Sequence, residues 1–259
     1  MTAKGEQEMK HKVLSILFPL FFWLLVWQGI AMAVDANAAM GGELLLPSPV
    51  RVLTVLAGLV GEWSFWRSAL LSLARMFFGI LIGAVLGVGL AVLTAASRWC
   101  DLLFTPAVKV VRAVPVASFI LLVLLWVRRD WVPVAISILM VLPVIWGSVR
   151  QGIGSADRRL LELCRCYRFD RAKILRLFWV PSVAPAFASG LATAMGLAWK
   201  AGVAAEVLCQ PRFAIGTQIY RTKLELATPD LFAWTLVVIL LSLAMEWLVK
   251  YLLRKGRGA

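Results

Sequence analysis

Residues 151–181 read QGIGSADRRLLELCRCYRFDRAKILRLFWVP, a polar stretch that lies between two long apolar runs. Together with Arg150, this stretch carries eight of the 27 Lys and Arg residues in the chain of 259 residues. The chain as a whole is strongly apolar, with 61% hydrophobic and 16% charged residues, whereas soluble domains have about 25% charged residues. The sequence therefore predicts an all-α polytopic membrane protein with a basic loop, residues 150–181, at the membrane surface.

Six apolar segments are long enough to cross about 30 Å of hydrocarbon at about 1.5 Å of helix rise per residue. They are Val13–Val34, Ala69–Ala96, Val116–Val127 with part of the segment before it, Val132–Val149, Ser182–Leu208 and Leu231–Leu253. The third is too short alone and needs the apolar residues from Phe104 onward. The first is uncharged over 22 residues, longer than the roughly 7–15-residue core of a signal peptide, so we interpret it as a retained span.

The distribution of basic residues predicts the orientation. Segments 1–12, 98–114, 150–181 and the tail from Lys250 hold 18 basic residues, and the segments on the opposite side hold seven. The side richer in Lys and Arg is cytoplasmic, so both termini and the basic loop are predicted to lie inside. The run Val50–Val60 is too short to span and is predicted to form an interfacial helix on the outer surface.

These assignments divide the chain into five parts. They are a cytoplasmic N-terminus at 1–12, a first transmembrane helix at 13–34, an extracytoplasmic segment with the interfacial helix at 35–67, a membrane core at 68–253 that includes the loop 150–181, and a cytoplasmic tail at 254–259. The net charge of +13 would suit a nucleic-acid partner, but the charges flank apolar runs, where orientation signals belong. We therefore expect membrane lipid around the chain and no nucleic acid.

The basic loop has the periodicity of two short amphipathic helices. Its first apolar stripe has helical i, i+3, i+4, i+7 spacing and consists of Leu160, Leu163, Cys164 and Tyr167. Asp157 is placed to cap this helix and Asp170 to cap a second, which Pro181 is predicted to end. A turn over Tyr167–Asp170 joins them. Spacing alone leaves two interpretations open: a hairpin with its arginines on anionic lipid of the inner leaflet, or a surface that meets another protein.

Arg75 lies inside the second predicted span, and Lys200 and Glu206 lie inside the fifth, whereas Glu246 lies nearer the inner end of the sixth. A charge at mid-span costs about 2.5–3.5 kcal/mol on insertion scales, so Arg75, Lys200 and Glu206 are functional candidates. We predict that they line a translocation path that favours an anion. Two alternatives remain open: Arg75 and Lys200 can extend to the headgroups, and Glu206 can pair with either as a fixed structural ion pair.

Two spans carry small residues at every fourth position. These ladders are Gly79, Gly83 and Gly87 in the second span, and Gly190, Ala194, Ala198 and Gly202 in the fifth. Such ladders let helices approach closely in lipid, either within one subunit or between two copies. Pro115, Pro133 and Pro143 are predicted to bend or start helices.

The basic loop resembles the cytoplasmic signature loop of ABC importer permeases, in which a Glu-Ala-Ala start is followed by a Gly and later by an apolar residue and Pro. Glu162-Leu163-Cys164 stands at the Glu-Ala-Ala, and Val180-Pro181 at the end. Further matches follow in order: Leu46-Pro47-Ser48-Pro49, Ser72-Leu73-x-Arg75-x-x-x-Gly79, Gly196-Leu197-Ala198-Trp199, Ala205-Glu206 and Thr228-Pro229-Asp230. Over residues 44–250 this set resembles the nitrate/sulfonate/taurine-type permeases.

The resemblance implies a type I ABC importer permease in the bacterial cytoplasmic (inner) membrane, with a path for a small anionic solute such as a sulfonate, nitrate or a taurine-like compound. The basic loop would form a coupling helix on a separate ATPase subunit. The implied coupling residues are Glu162, Leu163, Cys164, Tyr167, Arg168, Phe169 and Asp170. The implied partners are two ATPase subunits, a second permease copy as a homodimer, and an extracytoplasmic solute-binding protein.

The chain is not predicted to be an enzyme. It has no Gly-x4-Gly-Lys-Ser/Thr phosphate loop, so ATP and Mg are expected on the partner ATPase, and no cofactor is expected on this chain. Cys164 and Cys166 with a single His do not make a four-ligand metal site. The resemblance places the family's Gly at Arg168, where a left-handed backbone would cost Arg on the order of 1 kcal/mol more than Gly.

A second function class stays open, an ion-coupled secondary transporter that uses Glu206 as its titrating carboxylate. The halves of the chain show no inverted repeat of the kind many such carriers have. An intramembrane enzyme would need a His, Cys or Ser/Asp cluster at membrane depth, and the single His is His11, outside the predicted spans. Vanadate should inhibit an ATP-driven importer, whereas ionophores should inhibit the carrier.

Overall fold

The computed structural model describes residues 3–37 and 44–257, and every regular element within them is a helix. In chain order the helices are α1 (Ala3–Asn37), α2 (Pro49–Val60), α3 (Trp63–Ala96), α4 (Arg98–Ala113), α5 (Val116–Leu124), α6 (Val132–Gly154), α7 (Arg158–Cys166), α8 (Arg171–Ile174), α9 (Val180–Cys209), α10 (Ile215–Leu224) and α11 (Thr228–Arg257). A π-helical turn, Leu175–Trp179, lies between α8 and α9. The all-α class predicted from the sequence is confirmed.

Among the described residues, four helices are long and apolar enough to cross a membrane: Trp63–Ala96, Val132–Gly154, the continuous helix Arg171–Cys209, and Thr228–Leu248. They coincide with the predicted second, fourth, fifth and sixth spans. The predicted first span lies within α1, whose described apolar part is Phe21–Ala36. The side chains before Phe18 are outside the described residues, so the length of that span stays a prediction.

The predicted third span is a bent pair of helices. The axes of α4 and α5 meet at 105° across Val114 and Pro115. Val114 is extended, with φ −76° and ψ 133°, because the ring of a following proline disfavours helical backbone. Pro115 then starts α5 and has no N–H with which to continue the hydrogen bonds of α4. If the pair is counted as one broken span, the described part of the chain has five candidate membrane spans.

The prediction that Pro181 ends a short second loop helix is wrong. The helix that Asp170 caps runs without a break from Arg171 to Cys209. Pro181 falls in the first turn of α9, where a missing N–H and a fixed φ are tolerated. The π turn places Val180 N–H on Leu175 O and so resets the register just before the proline. The second half of the basic loop is therefore an extension of the fifth span.

The short apolar run before α3 is helical, as predicted. Ser48 caps α2, and its Oγ accepts from Arg51 N–H at 3.3 Å. The position of α2 at the outer surface stays a prediction.

The chain divides into two compact units: Met1–Trp66 with Gln218–Val237, and Arg67–Thr217 with Val238–Ala259. In the first unit, the Phe65 and Trp234 ring centroids are 5.1 Å apart. In the same unit, Thr228 Oγ1 donates to Leu44 O at 2.8 Å.

In the second unit, the glycine ladder of α3 packs against α6 of the same chain. A Cβ on Gly79 would lie 2.5 Å from Ser137 Cβ, and one on Gly83 would lie 2.8 Å from Val141 Cβ. Neither position has room for a side chain, since real Cβ contacts below 3.0 Å are essentially never seen. The ladder therefore serves packing within one subunit.

The α9 ladder is also enclosed by its own chain. Gly190 faces Ser148 of α6, and Gly202 faces Met76 of α3. Its two alanines, Ala194 and Ala198, have no exposed surface. Helices α3, α6 and α9 thus form the core that positions the sites described below.

Candidate functional sites

The two helices of the basic loop are capped as the sequence predicts. Asp157 Oδ1 accepts from Arg159 N–H at 2.9 Å, at the start of α7. Asp170 Oδ1 accepts from Lys173 N–H at 2.9 Å and caps α8. Both predicted N-caps are confirmed. These caps fix the residues at which α7 begins and at which α8 begins after the turn.

The turn between these helices contains a left-handed arginine. Arg168 has φ 53°, and the Phe169 N–H that follows it donates to Cys164 O at 3.0 Å. A bond of this six-residue span marks a Schellman-type helix end, whose left-handed position is usually Gly. The backbone at this position is therefore left-handed, and Arg adopts it at a cost of about 1 kcal/mol relative to Gly.

The apolar stripe of α7 faces away from the rest of the chain. Leu160, Leu163 and Tyr167 are 52%, 54% and 71% exposed. Among the predicted coupling residues, Cys164 is half-buried and the others are exposed: Glu162, Leu163, Tyr167, Arg168, Phe169 and Asp170. An exposed apolar stripe among charged side chains is typical of a surface that is covered by a partner.

The start of the basic loop is tied to α4 by a guanidinium–carboxylate pair. Both terminal nitrogens of Arg150 contact Asp101, and Nη2 donates to Asp101 Oδ2 at 2.9 Å. Thr105 Oγ1 donates to Asp101 Oδ1 at 2.6 Å. The pair joins the end of α6 to the first turn of α4, next to the loop.

Glu206, near the C-terminal end of α9, has no exposed surface. Ser72 Oγ donates to Glu206 Oε2 at 2.8 Å, and Gly216 N–H donates to the same oxygen at 3.2 Å. Oε1 has no hydrogen bond in the described part of the chain, but Arg75 Nη1 lies 3.5 Å from it. A hydroxyl, a backbone amide and a guanidinium together make burial of this carboxylate tolerable.

Arg75 is bound to the clamped segment, residues 210–216, which connects α9 to the start of α10. Its Nη2 donates to Arg212 O at 2.8 Å, and its Nη1 donates to Phe213 O at 3.2 Å. Asp130 Oδ1 lies 4.0 Å from Arg75 Nη2 and accepts from Arg212 N–H at 3.1 Å. The Arg75 guanidinium therefore makes its hydrogen bonds and ion pairs with groups of the same chain.

The clamped segment has an unusual backbone that needs these contacts. Gln210 and Phe213 both have φ 49°, a left-handed conformation that is uncommon for residues other than Gly. The Arg67 guanidinium lies 3.6 Å from the centre of the Phe213 ring. Thr217 Oγ1 donates to Pro211 O at 2.7 Å. The cluster holds the segment in one conformation.

Lys200 stands apart from this cluster. It precedes Glu206 by six residues on α9, which separates the two side chains by about 9 Å along the helix axis and about 120° around it. Lys200 is exposed and forms no ion pair within the described residues. Of the two cations that the sequence offers to Glu206, the structure pairs it with Arg75.

Three partners in the cluster are not predicted from the sequence: Ser72, Asp130 and Gly216. Ser72 has a usable signal, because Ser68, Ser72 and Arg75 recur at i, i+4, i+7 on one face of an apolar helix. Gly216 has no such signal in the sequence. Its role follows only from the structure, where a Cβ at this position would lie 2.5 Å from the Cβ of Glu206. In the same described residues, no group of three or more His, Cys, Asp or Glu is placed to hold a metal.

Known proteins resemble this chain over most of its length. Residues 79–258 match the family described as binding-protein-dependent transport system inner membrane component. The bicarbonate transport system permease protein CmpB of Synechococcus elongatus is 23% identical over an alignment 265 residues long. The alignment covers 96% of this chain and 94% of CmpB. The taurine transport system permease protein TauC of Escherichia coli is 22% identical over 258 residues, which cover 97% and 92% of the two chains.

Solved transporters share the fold. A chain in the crystal structure of a bacterial alginate ABC transporter with an alginate pentasaccharide-bound periplasmic protein has a TM-score of 0.62 at 15% identity, over 98% of this chain and 97% of that chain. A chain of an amino acid ABC transporter has a TM-score of 0.60 at 16% identity, over 74% and 92%. The chain belongs to the family of binding-protein-dependent transport system inner membrane components and is a multi-pass protein of the inner membrane.

Proposed function

We propose that this chain is the permease subunit of an ATP-driven ABC importer and forms the path for a small anion delivered by an extracytoplasmic binding protein. The match of residues 79–258 to the family is the observation that carries the proposal. The relatives CmpB and TauC are named as permeases for bicarbonate and taurine. Bicarbonate is an oxyanion and taurine carries a sulfonate group, so the solute class proposed here is a small oxyanion-bearing compound.

The importer, as proposed, contains two copies of this chain and two ATPase subunits. ATP and Mg bind to the ATPases, because this chain lacks the phosphate loop that would cradle them. The chain supplies the membrane path, and the charge asymmetry supports a cytoplasmic position for both termini and the basic loop.

The basic loop is the proposed contact with the ATPase. Support comes from the exposed stripe of α7 and from the ordered turn that ends it, centred on Arg168. Because α8, the π turn and α9 form one helix, a displacement of the turn is transmitted directly into the membrane part of α9. Nucleotide-driven closure of two ATPases would thereby move this helix.

The Arg75–Glu206 cluster has a positioning role in this proposal. A carrier carboxylate must exchange ions with water on both sides of the membrane, whereas Glu206 is buried and bound by Ser72, Gly216 and Arg75. The geometry therefore favours a fixed structural ion pair, and no observation supports an ion-coupled carrier.

Charge reversal in the turn tests the coupling role. Glu162→Lys and Arg168→Glu should leave the chain in the membrane but reduce both ATPase co-purification and ATP-dependent uptake. Arg98→Glu is a matched control, because Arg98 is an exposed residue at the start of α4, outside the proposed contact. Wild-type co-purification and uptake in both loop variants would refute the coupling role and favour a hairpin on the inner leaflet.

A further inference from the structure

The exposed side chains of α3 and those of the middle of α9 differ in kind. Those of α3 are bulky and apolar, as contact with lipid requires. They include Phe77, Phe78, Leu81, Ile82, Val85 and Leu86. On α9, the exposed residues between positions 189 and 204 form what we call the α9 stripe, in which polar and small residues accompany one leucine; the exposed Val180 and Leu208 lie beyond its two ends. Its members are Ser189, Thr193, Leu197, Lys200 and Ala204.

The α9 stripe is one continuous face. Its residues follow at i, i+4, i+8, i+11 and i+15, which places them within about 80° of the helix circumference. Ser189 lies about 30 Å from the Cys209 end of α9 along the axis, and Lys200 about 14 Å. The stripe therefore extends over most of the thickness of the hydrocarbon layer.

A lipid environment fits this face poorly. The Thr193 hydroxyl is satisfied locally, since Oγ1 donates to Ser189 O at 3.2 Å. Lys200 has no hydrogen bond or ion pair to any of the described residues. A lysine on a membrane helix normally faces water or a countercharge, because its transfer to hydrocarbon is costly. Extension to the headgroups would account for Lys200 alone and not for the polar residues deeper along the same face.

The other intramembrane cation is unavailable to a solute. Arg75 donates to two backbone carbonyls and is paired with Glu206. We propose that the α9 stripe is a wall of the aqueous translocation path, and that the Lys200 ammonium attracts a small carboxylate, carbonate or sulfonate as it passes. The proposal rests on the proposed permease function. An ammonium suits this role because it is a compact, strongly hydrated charge. It attracts an anion without the two parallel hydrogen bonds that a guanidinium forms with a carboxylate.

The wall is tested by thiol labelling of the assembled complex in membranes. Thr193→Cys and Ala204→Cys lie on the stripe, and Val85→Cys is the control, since Val85 is 64% exposed on α3. The probes are a membrane-impermeant anionic sulfonatoethyl methanethiosulfonate and its cationic trimethylammonium counterpart. Mass spectrometry of the peptide that carries the new cysteine leaves the four native cysteines in place. The stripe positions should react at least tenfold faster than position 85.

The charge is tested by the ratio of the two labelling rates at position 193. Lys200 lies about 10 Å from this position along the helix, where one charge in water changes each rate about twofold, in opposite directions for the two probes. At about 10 mM salt, where screening is weak, Lys200→Met should lower the anionic-to-cationic ratio about fourfold. Lys200→Arg should preserve the ratio. Lys223→Met, the same change on α10, should not alter it.

Two results would overturn the proposal: stripe cysteines as unreactive as position 85, or a ratio that Lys200→Met leaves unchanged. The first would place the face against protein or lipid, and the second would remove Lys200 from the path. Because labelling needs no known solute, it is independent of the importer function. A complex that imports no anion would refute that function whatever the labelling shows.

Discussion

Replacement of Arg75 by Met tests whether Arg75 is a clamp, which holds the clamped segment in place, or a residue that lines the translocation path. The substitution retains most of the side-chain volume and removes the guanidinium that donates to Arg212 O at 2.8 Å and to Phe213 O at 3.2 Å. It also leaves Glu206, which has no exposed surface, without its cation. If Arg75 is a clamp, its loss should lower stability, and reduced transport should follow from that loss.

The magnitude follows from the environment of the pair. Loss of one partner of a buried ion pair costs about 3–5 kcal/mol, and each charged hydrogen bond contributes about 1.5–3 kcal/mol. These contributions overlap, because the same guanidinium makes them all. The Arg75 side chain is 15% exposed and is thus partly hydrated, so we expect about 3–4 kcal/mol. At about 2–4 °C per kcal/mol for a chain of this size, the apparent Tm should fall by about 10 °C.

The assay is thermal unfolding of the purified complex at one fixed scan rate, since large membrane assemblies unfold irreversibly. Arg67→Met is the matched control, because Arg67 contacts the same segment only through the Phe213 ring at 3.6 Å, a contact of about 0.5–1 kcal/mol. The double variant Arg75→Met/Glu206→Gln should recover part of the loss by removing the unpaired charge. An Arg75→Met complex of wild-type Tm that has lost uptake would refute the clamp.

Three further predictions concern other parts of the fold. Gly83→Ala should destabilise the complex by about 1–3 kcal/mol through overpacking, and Gly89→Ala should not, since a Cβ there meets nothing within 4 Å; equal Tm values would contradict the packing. Arg168→Gly should raise the apparent Tm by about 2–4 °C by relieving the left-handed backbone, whereas a fall in Tm would contradict the strain. Asp101→Asn should lower the free energy of unfolding by about 1 kcal/mol or less, because the pair with Arg150 is about one-third exposed. The double variant Asp101→Arg/Arg150→Asp should have a higher Tm than either Asp101→Arg or Arg150→Asp alone.

Local signals in the sequence predicted the basic loop well. The caps Asp157 and Asp170 each bind a backbone amide two or three residues away, and such short-range contacts follow from residue type and position. The family's glycine left open whether Arg168 takes a left-handed backbone, and the structure shows that it does, with φ 53°.

Features that depend on neighbours were harder to predict. Pro181 is a helix breaker by type, but a π turn before it places it in the first turn of α9 and lets the helix continue. Whether such a turn forms depends on how Phe178 and the following helix pack, which no local pattern specifies. The bend of 105° between α4 and α5 has a local cause in Pro115, but its angle is set by packing.

The buried cluster shows the same limit at longer range. Glu206 and Arg75 attract attention as charges in apolar spans, yet the decisive contacts join residues 134 to 138 positions apart in the chain. Gly216 gives no sign in the sequence that its amide binds a carboxylate. The sequence therefore identifies the charged residues, but it does not distinguish Arg75, which is paired, from Lys200, which forms no ion pair within the described part of the chain.

This chain is proposed to form the membrane path of an ATP-driven importer of small oxyanion-bearing compounds. The most direct test of this proposal is uptake of labelled bicarbonate, taurine and an alkanesulfonate by the complex reconstituted in liposomes with its ATPases and binding protein. We predict uptake of at least one of these oxyanion-bearing compounds, and this uptake should require ATP and be abolished by vanadate. Uptake that persists in vanadate and collapses with a protonophore would contradict the proposal.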